Sequence, residues 1–115
     1  MPEFTINQAL TRARAILTAR STDARLTQVE RVQANETVVA LTDILNRLAG
    51  GNVLPANRRQ AAYDTLVERR HVLNIMQQNH DEDISTPELF NAIELTVACE
   101  EPIRLGLDEL VGADG

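Results

Sequence analysis

The stretch TINQALTRARAIL, residues 5–17, predicts how this chain folds. Its first four residues have the pattern of a capping box, in which the Thr5 hydroxyl and the Gln8 amide bind the free backbone groups at the start of a helix. The apolar residues that follow recur every three or four positions and so share one helical face; they are Ile6, Ala9, Leu10, Ala13, Ile16 and Leu17. We expect a helix over residues 6–20 that buries this face against other helices.

A second helix follows, and its length is the open question. Ser-Thr-Asp at residues 21–23 supplies candidate N-caps, and no Gly or Pro interrupts the chain until the pair Gly50-Gly51 ends the segment. A helix over residues 22–49 would be about 42 Å long, whereas a globule of this chain length is roughly 34 Å across. We therefore expect either a break near Asn35 or an elongated hairpin that completes its contacts with a second copy.

Two more main helices are predicted from their capping residues. Pro55 suits the first turn of a third helix that runs to Asn79. Ser-Thr-Pro-Glu at residues 85–88 combines an N-cap Ser, a first-turn Pro and a Glu at the third helical position, and it begins a fourth helix that Pro102 stops. A short fifth helix is predicted from Ile103, Leu107, Leu110 and Val111. The sequence thus predicts one all-α domain over residues 1–115, a small helical bundle of four main helices plus a short C-terminal helix.

Length and composition limit the class of protein. The chain has 115 residues, 43% of them hydrophobic, and its eleven cationic residues are all arginine. No run reaches the roughly 18 apolar residues of a membrane span, and no basic-then-apolar leader opens the chain. The single cysteine, Cys99, has no partner for an internal disulfide, so we expect a buried apolar side chain in a reducing compartment. The expectation is a soluble, cytoplasmic domain.

Charge divides the chain into two parts. The basic part, residues 1–79, has a net charge of +3, and the acidic part, residues 80–115, has a net charge of −9. One explanation is that the two parts attract each other within one fold. The alternative is that the acidic part binds a basic partner or imitates the phosphates of a nucleic acid.

Four arginines of the third helix lie close to its apolar face. Arg58 and Arg69 share one stripe, and Arg59 and Arg70 share another, because residues eleven apart are three helical turns apart. A guanidinium on a core-facing arc needs a carboxylate or carbonyl partner, since an unpaired buried charge is very costly. Acids of this chain's own acidic part can supply that partner. Acids of another protein can also supply it, because Arg is enriched at interface hot spots. Tyr63 lies at the edge of the same face.

Other candidate sites have weaker patterns. Glu68 and His71 have the spacing of half a di-iron carboxylate motif, but the sequence has no second half. The acidic loop Asp81-Glu82-Asp83 could bind a cation only loosely, because the segment that it begins lacks the Gly at position six and the Glu at position twelve of a calcium-binding loop. We expect this loop to be solvated and to contact a partner protein. No motif of a hydrolase, a zinc protease or a nucleotide-binding site occurs in the sequence. We therefore expect no cofactor and no metal ion.

These observations predict a non-enzymatic protein–protein interaction module that also self-associates, such as a small adaptor, an assembly factor or an inhibitor. Short acidic helical chains without motifs are typical of phages and mobile elements, where they act as inhibitors or virion components. Two alternatives are a regulator that mimics nucleic-acid phosphate to block a DNA- or RNA-binding protein, and a small helical metalloenzyme. Binding to nucleic acid itself or to a membrane is not expected. The predicted interface residues are Arg58, Arg59, Arg69, Arg70, Tyr63, Asp81, Glu82 and Asp83.

Overall fold

Four α-helices account for most of the chain that the structure, a computed structural model, describes, namely residues 5–48, 54–78 and 86–106. They are α1 (Ile6–Ser21), α2 (Gln28–Arg47), α3 (Ala56–Gln78) and α4 (Thr86–Leu105). These ranges contain no strand, so the predicted all-α class is confirmed. Of the predicted fifth helix, Ile103 belongs to α4, and Leu107, Leu110 and Val111 lie outside the described residues.

The start of α1 follows the sequence prediction. The Thr5 hydroxyl accepts a hydrogen bond from the Gln8 backbone N–H at 3.1 Å, and the Gln8 side-chain oxygen accepts one from the Thr5 N–H at 3.0 Å. Two of the free donors at the helix start are thereby satisfied. The predicted apolar face is buried in the core, apart from the half-buried Ile16. Its fully buried members are Ile6, Ala9, Leu10, Ala13 and Leu17.

Helix α2 starts later than predicted and has no break. Its N-cap is Thr27, which forms a second capping box with Glu30, so the N-cap predicted within residues 21–23 is wrong. The signal Thr-x-x-Glu at residues 27–30 is the same kind as the one that starts α1. Asn35 lies inside the unbroken helix. The late start shortens α2 to about 30 Å, which fits the 39 Å long axis of the molecule.

Helix α4 continues through Pro102, so the prediction that Pro102 stops it is wrong. A proline at position 102 lacks the N–H that would donate to the Ala98 carbonyl, and this loss is confined to one bond near the end of the helix. The side chains of Pro102 and Ile103 are both buried, and this burial offsets the lost hydrogen bond. The described chain ends just after α4 at Gly106, which adopts a positive φ of 75°, a common helix ending.

The helices form a ring in chain order around one apolar core. Each helix contacts its two neighbours in the ring, α2 and α3 contact each other least, and neither diagonal pair is in contact. Helices α3 and α4 are antiparallel, because the start of α3 at Arg59 packs on the end of α4 at Gly106. None of the described helices combines the length and the hydropathy that a membrane-spanning segment needs.

Candidate interaction surfaces

Arg70 forms the ion pair that the charge division of the sequence anticipates. Its Nε lies 3.1 Å from Oε2 of Glu100, an acid of the acidic part. Only 9% of the Glu100 side chain is exposed, against 38% for Arg70. Burial raises the pKa of Glu100, and the positive charge of Arg70 opposes that rise. The pair therefore joins α3 to α4 at the edge of the core.

Arg69 has its partners on α2, in the basic part of the chain. Its Nη1 donates to the side chains of Gln33 at 3.3 Å and Thr37 at 3.4 Å, and it lies 3.9 Å from a Glu36 carboxylate oxygen. Only 12% of the Arg69 side chain is exposed. This side chain therefore connects α3 to polar groups of α2, the neighbouring pair of helices with the least contact.

Arg59 connects three separate segments. Its Nε donates to the Leu54 carbonyl at 2.9 Å, and its guanidinium lies so close to Gly106 that a Cβ there would be 2.5 Å from Cζ. Tyr63 lies one turn further along α3, with its ring centre 5.8 Å from Cζ of Arg104, a cation–π distance. Arg104 also donates to Glu101 at 2.6 Å, and this bond lowers the pKa of Glu101. Arg59 and Tyr63 thus hold the start of α3 against the end of α4.

Arg58 is the exposed arginine of the predicted four. It forms no ion pair with any acid in the described ranges. The side chain lines a groove of about 310 Å³ between α2 and α3, named here the α2–α3 groove. Ile44 and Ala62 form its buried floor, and Arg47 stands on the opposite rim, 3.2 Å from Asp43. The remaining lining residues are Ala40, Ala61 and Thr65.

The other predicted candidates divide between exposed, buried and undescribed positions. Asp81, Glu82 and Asp83 lie outside the described residues. Glu68 and His71 are both exposed, and nowhere in the described ranges do three His, Cys, Asp or Glu side chains come close enough to hold a metal ion. Cys99 is fully buried, as predicted, and burial raises its pKa to about 12.

An apolar stripe on the outside of α2 was not predicted from the sequence. Val29, Val32 and Val39 are 69%, 44% and 61% exposed. The buried side of α2 is centred between Thr37 and Leu41. Because successive residues are rotated by about 100° around a helix, Val32 and Val39 point almost directly away from that side. The spacing of three and seven residues was visible in the sequence, but only the fold shows which side of α2 is buried. These three valines are named the α2 outer face.

A second exposed apolar set lies on α4. Phe90, Val97 and Leu105 are 49%, 40% and 54% exposed. Glu94 is also exposed and lies one helical turn after Phe90; within the described residues it forms no ion pair. Neither α2 nor its outer face contacts α4. The two exposed apolar sets therefore belong to separate surfaces.

A buried arginine on α1 was also missed. Arg20 is only 2% exposed, at the end of α1 where charged groups from three segments gather. Burial lowers its pKa, and the charges of Glu30, Asp23 and Glu88 oppose this shift. Asp23 pairs with Arg25 at 2.7 Å, and hydrogen bonds from Arg25 lower the pKa of Asp23 to about 2. The sequence places Arg20 at the end of an amphipathic helix, which does not reveal its burial.

Comparison with protein-family models, with curated proteins and with solved structures finds no match for this chain.

Proposed function

We propose that this chain is a non-enzymatic protein–protein interaction module, acting as a small adaptor, assembly factor or inhibitor, that binds a partner protein through the α2 outer face. The observation that supports the proposal is the exposure of Val29, Val32 and Val39 along one stripe of α2, with Val32 and Val39 on the side opposite the core. Scattered exposed apolar residues are ordinary, whereas an aligned apolar set on one helix is typical of an interaction site.

The spacing of the α2 outer face fits a partner helix. Positions 29, 32, 36 and 39 alternate in steps of three and four, the spacing by which a helix presents a seam to another helix. The valines occupy three of these positions and Glu36 occupies the other. Burying the seam would remove three large apolar side chains from water, and this burial is the main source of affinity for the partner.

The charges beside the seam indicate the chemistry of the partner. Glu36 and Asp43 lie on the same side of α2 as the valines, and both side chains are more than half exposed. Each carboxylate has an arginine of this chain beside it, Arg47 for Asp43 and Arg69 for Glu36, but both remain exposed, and two copies of the α2 outer face would bring them together, which is unfavourable. A partner helix with apolar residues flanked by Lys or Arg fits this face better.

A triple substitution tests the proposal. Val29→Gln, Val32→Gln and Val39→Gln together remove the apolar seam and keep residues that favour a helix. The matched control changes three other exposed apolar residues, with Ile75→Gln, Val97→Gln and Leu105→Gln. Wild type, variant and control are immobilised in parallel, and a protein retained from host extract is then purified and its affinity for each is measured.

The expected result is a reconstituted complex of defined mass that the α2 variant weakens at least about tenfold and the control leaves unchanged. A purified partner that binds the α2 variant as tightly as wild type contradicts the assignment of this face. If that partner is a DNA- or RNA-binding protein and nucleic acid displaces the chain, the phosphate-mimic alternative replaces the proposal.

A further inference from the structure

The α2–α3 groove has the features of a docking site. Its lining residues all belong to α2 and α3. Helices α2 and α3 contact each other least of the four neighbouring pairs. The side walls contain the small residues Ala40 and Ala61, so that another helix can approach closely. The floor is apolar and buried, and the rim has the arginines Arg47 and Arg58.

The charge of the groove favours an acidic occupant. Asp43 is the only acid among the described residues that line it, and Asp43 is already paired with Arg47. Arg58 contributes a further positive charge without an acidic partner in the described ranges. It also stands in the first turn of α3, which contains no acid. A cation there is disfavoured by the helix dipole and is relieved by an anion.

The chain itself carries a surface with the complementary features. Phe90 is the exposed aromatic residue of α4, and Glu94 follows it by one turn as an exposed acid without an ion pair in the described ranges. An apolar anchor and a carboxylate therefore stand together on α4. The groove presents an apolar floor at Ala62 and a guanidinium at Arg58.

The spacing of the two pairs also agrees. Phe90 and Glu94 are four residues apart on α4, and Arg58 and Ala62 are four residues apart on α3. Four residues advance a helix by about 6 Å. An antiparallel docking therefore places Phe90 over Ala62 and Glu94 beside Arg58 at the same time, and 310 Å³ is ample for a phenyl ring.

One copy cannot make this contact with itself. Because α3 and α4 are antiparallel, the groove lies beside the end of α4, and Phe90 lies near its start, about 20 Å away along the bundle. The contact therefore requires two molecules. Each molecule can use its groove to bind one neighbour and its α4 surface to bind another. Such a heterologous contact continues from copy to copy and makes a ring or an open chain.

We propose that this chain associates head to tail with other copies of itself, with Phe90 and Glu94 of one copy docked in the α2–α3 groove of the next. The inference rests on the groove and not on the valines of the α2 outer face, although Asp43 stands beside both. A small groove with one ion pair makes a modest contact, so association rises with protein concentration and falls with salt.

Charge reversal tests the pairing directly. The mass of the wild-type chain is measured by sedimentation over a wide range of concentration, together with Arg58→Glu and Glu94→Arg. We expect wild type to exceed the mass of one chain at high concentration and each variant to associate at least about tenfold more weakly. An equimolar mixture of the two variants restores association, because the groove of each variant then meets a surface of opposite charge on the other.

Matched variants separate this contact from general effects of charge. Arg12→Glu and Glu68→Arg reverse exposed charges away from the groove and leave association unchanged, as does the triple valine variant of the α2 outer face. Phe90→Gln removes the anchor and weakens association while circular dichroism shows an unchanged fold. A wild-type chain that remains monomeric at every concentration, or a mixture of Arg58→Glu with Glu94→Arg that fails to associate, overturns the proposal.

Discussion

The guanidinium of Arg59 lies against the backbone of Gly106, so close that a Cβ at Gly106 would stand 2.5 Å from Cζ of Arg59. The same arginine donates to the carbonyl of Leu54. One side chain thus joins Leu54, two residues before α3, the first turn of α3 and the end of α4. Only glycine permits the contact, because it lacks a Cβ and adopts the positive φ of 75° found here.

Replacing Gly106 by alanine tests this contact. Gly106→Ala is expected to lower the free energy of unfolding by about 1–2 kcal/mol, because an L side chain at positive φ is strained, and displacing the flexible Arg59 guanidinium adds a smaller cost. Urea denaturation followed by circular dichroism measures the change. In an Arg59→Ala background the same substitution should cost less, since the clash is gone. An equal cost in both backgrounds would show that Arg59 and Gly106 do not interact.

The two capping boxes are expected to stabilise α1 and α2 by similar amounts. Thr5→Ala and Thr27→Ala each remove a hydroxyl that accepts a backbone hydrogen bond at a helix start, and each should cost about 1 kcal/mol. Thr18→Ala is the control, because Thr18 is an exposed residue inside α1 whose hydroxyl donates to the Arg14 carbonyl rather than to a free group at a helix start. That change should stay within about 0.5 kcal/mol. Loss at position 18 as large as at the caps would contradict the assignment.

Stability should depend on pH through Glu100. Its pKa is raised in the folded chain by burial, so the folded state binds more protons than the unfolded state between the ordinary value of 4.5 and the raised value. This group therefore lowers stability as the pH rises through that window, and the loss is complete above it. Glu100→Gln should remove this part of the pH dependence in urea titrations from pH 4 to pH 8. If Glu100→Gln has the same pH dependence of stability as the wild-type chain, Glu100 is not the group responsible.

The partner of Glu100 provides an independent measurement. Arg70→Met leaves a buried carboxylate without its cation and should cost about 1–3 kcal/mol at pH 7. The cost should shrink at low pH, where Glu100 is protonated. Arg70→Met combined with Glu100→Gln should recover most of the loss at pH 7, since no buried charge then remains unpaired. If the loss of stability in the double variant equals the sum of the losses in the two single variants, Arg70 and Glu100 are not energetically coupled.

Cys99 is expected to resist alkylation in the folded chain. Burial raises its pKa to about 12, and the thiolate is the form that reacts. At pH 8 iodoacetamide should therefore modify the native chain much more slowly than the chain in urea, as measured by mass spectrometry over time. Equal rates in the two conditions would place the thiol at the surface.

The sequence by itself determined the secondary structure wherever the responsible interaction is local. The capping box at Thr5 and the apolar periodicity of α1 depend on residues three or four positions apart, so they are readable without the fold. The same reasoning failed at Pro102, because the burial of Pro102 and Ile103, which keeps α4 helical there, is a tertiary effect. It also failed at residues 21–23, where another local signal, the capping box of Thr27 and Glu30, prevailed.

Only the tertiary structure decided which partners the arginines take and which apolar residues remain exposed. The charge division predicted that arginines would meet carboxylates, either of the acidic part or of another protein, and Arg70 lies beside Glu100 of the acidic part. Arg69 instead binds α2 and Arg59 binds backbone, because these choices depend on which helices become neighbours. The valines of α2 and Phe90 have the same apolar character as the core residues, and only the packing of the ring leaves them facing water.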